Sequence, residues 1–345
     1  MNTKARFVLS KSRSLEKYKE ISEFADEVSF SFKTNREVGY ILRDNTDCNF
    51  SIHSPKALEL LNTPQRTWYF AQGWDTEEID AIYKVGVRKF VVDNTNDLNL
   101  LLAYIKEKPD KISLLLRMRL KEKTIHTGKH FVFGFYSARI NELIPKLRNN
   151  QKIEKLGIHF HRKTQNVSEW SLKFELENVL SEEVFNAIDY VNIGGGVPIK
   201  YKNFSADVIE GIFNKITEFR KWLKSYEIKT IIEPGRFISG PSVKLEAEIM
   251  NIQDNTIIVG CSVYNGAMDT FVTNIRLEVE GELPDGAGEA YTIKGKTPDS
   301  IDIFRYRVFL KQPKVGEKIV FLNAGAYTYS TDFCLLEPLE TVVVD

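Results

Sequence analysis

Residues 189–198 read DYVNIGGGVP, an apolar run that ends at three glycines, Gly194, Gly195 and Gly196. Glycines after a strand allow backbone N–H groups to approach a ligand that a Cβ would keep away, and phosphate is the usual ligand of such donors. A tight turn is the more frequent reason for a single glycine run. Phosphate binding gains weight because seven other strand-like runs in the chain also end near chemically active side chains.

Strand-like and helix-like segments alternate regularly from residue 13 onward. Runs such as LLLRM are nearly continuous in apolar residues, as in parallel strands that are covered by helices. Eight such units predict an α/β protein with a (β/α)8 TIM-like barrel. The predicted strands are Val28–Lys33, Cys48–Ile52, Thr67–Ala71, Lys89–Asp93, Ile112–Arg119, Lys155–His161, Asp189–Ile193 and Lys229–Glu233. Helices are predicted between them, for instance at Thr76–Val85, Asn96–Glu107, Tyr136–Arg148 and Ala206–Ser225.

The sequence changes character after about residue 242. Short alternating runs such as KLEAEIM and IRLEVEGE are separated by turns such as LPDGAG, which predicts an antiparallel β domain. The strand-like segment ARFVLS near the start of the chain is expected to complete it. We therefore predict a barrel over residues 11–241 and a β-sandwich or β-barrel domain formed by residues 1–10 and 242–345.

Composition excludes several classes of function. Lys plus Arg and Asp plus Glu each number 47, so no net charge draws the protein to nucleic acid or a membrane. The chain has neither a signal-peptide pattern nor a run of ~18 apolar residues, which predicts a cytoplasmic protein. Three distant cysteines indicate no disulfide framework. His159 and His161 share a strand face, but no Cys/His cluster accompanies them, so no metal is expected.

The predicted barrel places a set of reactive side chains at one mouth, because active sites of such barrels lie at the carboxyl ends of the strands. Lys33 and His161 end the first and sixth strands, Glu233 ends the eighth, and Arg117 lies near the end of the fifth. Each has a simpler explanation. Lys33 would be a solvated loop residue, His161 a core histidine, and Glu233 the ion-pair partner of Arg236 or Arg117.

One cofactor accounts for all these residues together. Pyridoxal 5'-phosphate needs a lysine for its aldehyde, N–H donors for its phosphate, an acid for its ring nitrogen and a planar group against its face. A partly desolvated Lys33 would have a lowered pKa, and the neutral amine is the form that attacks an aldehyde. The sequence supplies each of these groups in one predicted barrel mouth.

The motifs that carry these residues resemble those of the fold-type III pyridoxal-phosphate decarboxylases. This group includes ornithine, lysine, arginine, diaminopimelate and carboxynorspermidine decarboxylases, with alanine racemase as a distant relative. The motifs follow the family's order over nearly the whole chain. They are SFKTN (31–35), LGIHFH (156–161), NIGGGVP (192–198), EPGRF (233–237), GKTPDSID (295–302) and NAGAYT (323–328).

The resemblance implies a role for each matching residue. Lys33 corresponds to the lysine that joins the cofactor, His161 to the residue stacked on its ring, and Glu233 to the partner of the ring nitrogen. Arg117 corresponds to a supporting residue. The remaining cofactor-binding candidates, mostly at the phosphate, are Thr164, Gly194, Gly195, Gly196, Gly235, Arg236 and Tyr327.

The substrate site departs from the family pattern. Asp299 matches the acid that reaches the distal amine of a substrate in the neighbouring subunit, which implies a head-to-tail homodimer with shared sites. Pro298 replaces the cysteine that usually precedes this acid and helps to protonate the product. Ser51 and Cys261 stand where polyamine-type members carry acids. Cys261 and Tyr264, in the segment GCSVYNG, are counted as substrate-binding candidates.

The resulting hypothesis is a decarboxylase that removes the α-carboxylate of a basic or diamino acid such as ornithine, lysine, diaminopimelate or a carboxypolyamine. An amino acid racemase on the same fold is an alternative, which an acid at Glu233 disfavours. A second alternative is a catalytically silent relative that acts as a binding or regulatory protein, suggested by Pro298, Ser51 and Cys261. A barrel enzyme that binds a sugar phosphate at the glycine run is the third.

Overall fold

A computed structural model describes residues 4–120, 133–205, 207–327, 331 and 333–345. Eight parallel strands close into a barrel in which each strand lies beside the next one in the sequence and the last lies beside the first. This confirms the predicted (β/α)8 barrel. Its strands are β2 (Glu27–Ser31), β3 (Asn49–Ile52), β4 (Thr67–Phe70), β5 (Lys89–Val92), β6 (Ile112–Arg117), β7 (Ile153–His159), β8 (Tyr190–Asn192) and β9 (Lys229–Ile232).

Several barrel strands end earlier than the sequence pattern indicates. The first barrel strand, β2, ends at Ser31, and Lys33 lies in the short 3-10 turn Phe32–Thr34 that follows it. Strand β7 ends at His159, so His161 is two residues beyond its end. The apolar pattern continues past the strand ends because residues such as Phe32 and Phe160 are buried although they lie outside the strands.

Helices connect the barrel strands, and polar side chains fix where several of them begin. Asn35 accepts hydrogen bonds from the backbone N–H groups of Glu37 and Val38, and Asp75 and Asn94 cap two later helices in the same way. Within the described ranges, no helix has both the length and the apolar character needed to cross a bilayer. The helices are α1 (Lys11–Ser22), α2 (Arg36–Asn45), α3 (Pro55–Leu61), α4 (Thr76–Lys84), α5 (Thr95–Ile105), α6 (Ser137–Arg148), α7 (Leu172–Val179), α8 (Glu182–Ala187), α9 (Ile209–Lys224), α10 (Gly235–Ser242), α11 (Val263–Gly266) and α12 (Asp269–Val272).

The barrel interior is packed with side chains. Trp68, Val91, Leu115 and Ile231 form a separate buried cluster, while the larger hydrophobic core lies elsewhere in the chain and includes the apolar faces of the helices. A filled interior leaves no space for a ligand along the barrel axis. A ligand site in this fold therefore has to lie at the barrel mouth.

The remaining strands form an eight-stranded sheet. Strand β1 pairs antiparallel with β10, as expected for the N-terminal segment, but parallel with β16, and β11 pairs parallel with β13. The β domain is thus mixed rather than wholly antiparallel. The division of the chain near residues 10 and 241 stays a prediction. The strands are β1 (Ala5–Ser10), β10 (Val243–Gln253), β11 (Thr256–Val259), β12 (Glu278–Val279), β13 (Glu289–Lys294), β14 (Ile303–Leu310), β15 (Lys318–Leu322) and β16 (Glu340–Val344).

Candidate active site

A cavity of about 290 Å³ lies at the carboxyl ends of the barrel strands. It brings together most of the side chains singled out in the sequence, although they come from distant parts of the chain. The predicted residues that line it are Lys33, Arg117, His161, Thr164, Gly195, Gly196, Glu233, Gly235, Arg236 and Tyr327. The predicted residues that do not line it are Gly194, Asp299, Cys261 and Tyr264.

The turn that carries Lys33 is fastened to the β domain. The backbone N–H of Tyr327 donates to the carbonyl oxygen of Thr34 at 3.0 Å, and the side-chain amide of Asn35 donates to the carbonyl of Gly325 at 2.9 Å. Burial lowers the pKa of Lys33, and the positive charge of Arg117 lowers it further, while Glu233 opposes both. Lys33 is therefore held in a defined place with an amine that loses its proton more readily than usual.

Glu233 lies one residue after β9 and is only 9% exposed. Its Oε1 accepts hydrogen bonds from the Ser51 hydroxyl at 2.7 Å and from the Asn192 amide at 3.0 Å. Its Oε2 lies 3.2 Å from Nε2 of His159. Burial acts to raise the pKa of Glu233, but its interactions with His159, Ser51 and Asn192 together lower it to about 2. Glu233 is thus a buried carboxylate, and Oε2 can accept one more hydrogen bond.

The sequence pattern indicates His159 only as half of a possible metal-binding pair, and it does not indicate the contact of His159 with Glu233. The ring is fully buried, and burial lowers the pKa of His159. A neutral ring that donates from Nε2 to Glu233 leaves Nδ1 as an acceptor, and this atom is buried without a hydrogen-bond partner in the described part of the chain. Among the described residues, no group of three or more potential metal ligands occurs.

The glycine run packs directly against Glu233 and His161. The carbonyl of Gly194 accepts from the backbone N–H of Glu233 at 2.8 Å, and the N–H of Gly195 donates to Nδ1 of His161 at 3.2 Å. A Cβ on Gly195 would lie 2.4 Å from the carbonyl oxygen of Glu233, so no larger residue fits there. Burial lowers the pKa of His161 to about 4, which agrees with a neutral ring that accepts at Nδ1.

Arg236 provides a buried cation beside the glycine run. Its Nε donates to the Thr164 hydroxyl at 3.1 Å, and its Nη1 donates to Tyr201 at 2.9 Å and to Asp269 at 2.6 Å. The guanidinium also lies 5.0 Å from the centre of the Tyr327 ring. Its Nη2 is buried without a hydrogen-bond partner among the described residues, which is the state expected of a group that binds an anion.

The predicted substrate residues lie apart from this cavity. The hydroxyl of Tyr264 donates to Asp299 at 2.5 Å, and this hydrogen bond lowers the pKa of Asp299. Cys261 is fully buried, which counts against a direct contact between its side chain and a substrate. Asp299 is partly exposed, whereas Tyr264 is only 6% exposed, and neither residue lines the cavity that contains Lys33.

Sequence reasoning missed four polar residues of the site, namely Ser51, His53, His159 and Asn192. Ser51 had a signal, since it was noted where an acid is common, and Asn192 directly precedes Ile193 and the glycine run. His53 follows strand β3 by one residue, so the rule that placed Lys33 and Glu233 at strand ends applies to it equally. His159 is the last residue of β7, so the same rule applies to it.

Fold and cavity define an α/β-barrel protein with a polar site at the barrel mouth that is completed by the β domain. The chain belongs to the pyridoxal-dependent decarboxylase family, since the pyridoxal binding domain of that family matches residues 16–240. The matched part includes Lys33, the glycine run and Glu233. This confirms the resemblance that the motifs indicate.

Individual relatives are distant. Diaminopimelate decarboxylase of Bacillus subtilis (strain 168) is 22% identical over 292 residues, which cover 77% of this chain and 66% of that protein. Antizyme inhibitor 2 of Xenopus laevis is 20% identical over 333 residues, covering 87% of this chain and 71% of that one. The lysine/ornithine decarboxylase of Vibrio vulnificus in complex with cadaverine has a TM-score of 0.79 at 20% identity and covers 99% of this chain and 94% of that chain. This structural likeness shows the fold.

Proposed function

We propose that this protein removes the α-carboxylate of a basic or diamino acid to give an amine, using pyridoxal 5'-phosphate attached to Lys33. One observation carries the proposal. A lysine amine and a carboxylate held ionised by three partners line one cavity, together with the glycine run and Arg236. These are the groups that the aldehyde, the ring nitrogen and the phosphate of this cofactor need.

The residues present fit the cofactor. The unpartnered Nη2 of Arg236 and the close approach at the glycine run suit a phosphate, and Thr164 and Tyr327 lie beside Arg236 to complete its surroundings. His161 would lie against the ring face, and Glu233 would meet the ring nitrogen. When bound, the cofactor supplies an electron sink for the electron pair that the departing carboxylate leaves behind.

The protein's own contribution is to set protonation states before the substrate arrives. Oε2 of Glu233 would keep a proton on the ring nitrogen, because the hydrogen bonds from Ser51, Asn192 and His159 favour the ionised carboxylate. Lys33 has a lowered pKa, which favours the neutral amine needed for attachment to the aldehyde. A carboxylate rather than an arginine at the ring nitrogen supports decarboxylation over racemisation.

The substrate's second amine would be bound by another copy of the chain. Glu233 is the only carboxylate among the described residues that line the cavity, and it is committed to the ring nitrogen. A distal ammonium group therefore needs an acid from elsewhere, and Asp299 with its partner Tyr264 is the candidate. This arrangement requires a head-to-tail homodimer in which each site uses Asp299 of the neighbouring subunit.

Turnover of a panel of basic and diamino acids by the purified protein tests the proposal. We expect CO2 release from at least one of them, with the matching amine identified by mass spectrometry, and borohydride reduction should attach the cofactor to the peptide that contains Lys33. Lys89 is a matched internal control, because burial also lowers its pKa but it lies at the amino end of β5. A product that retains its carboxylate with inverted chirality would instead identify a racemase.

A catalytically silent relative is the second candidate. Its support is the burial of Cys261, the loss of the cysteine at Pro298 and the similarity to antizyme inhibitor 2 of Xenopus laevis. The presence of Lys33, Glu233 and Tyr327 argues against a catalytically silent relative, because a protein that does not bind the cofactor would not need these residues. Absence of both cofactor absorbance and CO2 release, in protein purified with added pyridoxal phosphate, would favour this candidate.

A further inference from the structure

Asp269 is a buried carboxylate for which the functions proposed above have no use. It begins helix α12, which lies in the sequence between strands β11 and β12 of the β domain. Its Oδ2 accepts a hydrogen bond of 2.6 Å from Nη1 of Arg236, which is in helix α10 at the barrel mouth. Within the described part of the chain, the carboxylate that pairs with Arg236 is therefore Asp269 and not Glu233, which the sequence offers as a partner.

The hydrogen bonds of Arg236 leave one nitrogen of its guanidinium free to bind a ligand. Nε donates to Thr164, and Nη1 donates to both Tyr201 and Asp269, which uses every hydrogen on Nε and Nη1. Nη2 carries the remaining N–H groups, and no described residue accepts a hydrogen bond from it. An anion that binds to Arg236 would therefore meet Nη2, and the place of Nη2 is fixed by the partners of the other two nitrogens.

Asp269 supports the guanidinium from outside the reaction cavity. Arg236 lines that cavity beside Gly195 and Gly196, whereas Asp269 does not line it. The carboxylate is itself held in place, because the hydroxyl of Thr273 donates to its Oδ1 at 2.7 Å. Asp269 therefore acts on a ligand in the cavity through Arg236 and not by direct contact.

Asp269 also helps to keep Arg236 charged. Burial acts to lower the pKa of Arg236, but its interactions with Tyr201 and Asp269 raise this pKa above its ordinary value. A buried cation without a partner is costly, so the carboxylate stabilises the guanidinium in this position. A charged guanidinium in a fixed orientation is what the recognition of a phosphate requires.

We propose that Asp269 is a positioning residue that holds Nη2 of Arg236 toward the phosphate of the cofactor. This inference rests on the cofactor binding in the proposed function. The carboxylate has two opposing effects, because its negative charge repels a phosphate while its hydrogen bond orients the cation that binds the phosphate. Orientation outweighs repulsion, because Arg236 lines the cavity and Asp269 does not. A residue of the β domain thus determines how tightly the barrel holds its cofactor.

Pyridoxal, which lacks the phosphate, isolates this effect from other changes in the site. The full chain is freed of cofactor, and absorbance titration gives the dissociation constants of pyridoxal and of pyridoxal phosphate. Their ratio is the phosphate preference. Asp269→Ala should weaken the binding of pyridoxal phosphate about tenfold or more and leave that of pyridoxal unchanged, so the phosphate preference should fall by the same factor. Asp269→Asn keeps an acceptor oxygen, so its phosphate preference should lie between those of wild type and Asp269→Ala.

Glu282 provides a matched control. Its side chain is 9% exposed against 8% for Asp269, and it forms ion pairs of 2.8 Å with Arg305 and with Lys202. It makes no ion pair with Arg236 among the described residues and does not line the cavity. Glu282→Ala should therefore lower the free energy of unfolding, as Asp269→Ala does, but keep the phosphate preference of wild type.

The outcomes separate the inference from the function on which it rests. A phosphate preference of Asp269→Ala equal to that of wild type or higher would overturn the inference, because loss of a repelling charge alone strengthens phosphate binding. An equal fall in Glu282→Ala would also overturn it, since any loosening of the β domain would then suffice. If Asp269→Ala does not fold, Asp269→Asn decides, and an undiminished phosphate preference in that variant would overturn the inference. Wild-type protein that binds neither compound would overturn the proposed function, and the inference with it.

Discussion

Ser51 donates a hydrogen bond of 2.7 Å to Oε1 of Glu233, a residue 182 positions away in the sequence. Ser29 lies behind it, with 2.9 Å between the two hydroxyl oxygens. Where polyamine-type relatives carry an acid, this chain therefore places a neutral donor. A second carboxylate at this position would raise the pKa of Glu233, whereas the serine lowers it.

Ser51→Ala should destabilise the protein and weaken the cofactor site. Loss of a hydrogen bond to a buried charge costs about 1.5–3 kcal/mol, and the pKa of Glu233 should rise because one donor is gone. The free energy of unfolding from urea titration measures the first effect. Ser29→Ala is the matched control, because Ser29 contacts Ser51 but makes no hydrogen bond to Glu233. Equal losses in the two variants would show that the contact with Glu233 is unimportant.

Glu233 should make the protein acid-sensitive. The pKa of Glu233 is about 2 in the folded chain, against 4.5 for an unperturbed glutamate. The folded state therefore binds fewer protons than the unfolded chain between these two pH values. A depressed carboxyl stabilises the fold above about pH 4.5, and that stabilisation is lost as the pH falls toward 2. Unfolding free energies measured across this range should fall more steeply in wild type than in Glu233→Gln, whose side chain does not titrate. Parallel curves would contradict this assignment.

Gly235→Ala should disturb the lysine turn. A Cβ at this position would lie 2.1 Å from the hydroxyl oxygen of Thr34 and 3.1 Å from Cβ of Ser31, so the turn has to move. We expect a loss of about 1–3 kcal/mol in stability and weaker retention of the cofactor. Gly211→Ala is the control, because this exposed helical glycine has no atom within 4 Å of its added Cβ. It should stabilise the protein by about 0.8–1 kcal/mol. Wild-type stability in Gly235→Ala would contradict the close approach.

Mixing two inactive variants tests the shared site. Asp299→Ala should raise KM for a diamino acid, and Lys33→Ala should abolish turnover. After random subunit exchange, about a quarter of the sites should be intact, because half of the dimers carry one site with neither substitution. Activity of the mixture above that of Asp299→Ala alone is the measurement, with exchange verified by native mass spectrometry. No recovery after verified exchange would count against a site shared between subunits.

Residues at strand ends were predictable because their position follows from local sequence. Lys33, His161 and Glu233 each follow an apolar run, and the barrel rule brings such positions to one mouth. The contacts that tune them were not predictable in this way. Ser51 and Asn192 meet on Glu233 only after the barrel has closed, and nothing in the sequence near either residue specifies that contact.

In the β domain, the strands could be predicted from local sequence, but the pairing between them could not. Alternating runs predicted its strands, including Ala5–Ser10 at the start of the chain. The parallel pairing of β1 with β16 brings Arg6 beside Glu340, and no turn or short loop marks a pairing between the two ends of the chain. Parallel neighbours need a long connection between them, which local patterns do not reveal.

The hydrogen bonds from Tyr327 to Thr34 and from Asn35 to Gly325 have an evolutionary consequence. An excised barrel would lose Tyr327 and leave the turn around Lys33 without its anchors. The two halves of this molecule are therefore not interchangeable modules. Recombination between relatives would keep both contacts only where the parent of the barrel carries a side-chain donor at the position of Asn35, because all the other atoms of the two hydrogen bonds belong to the backbone.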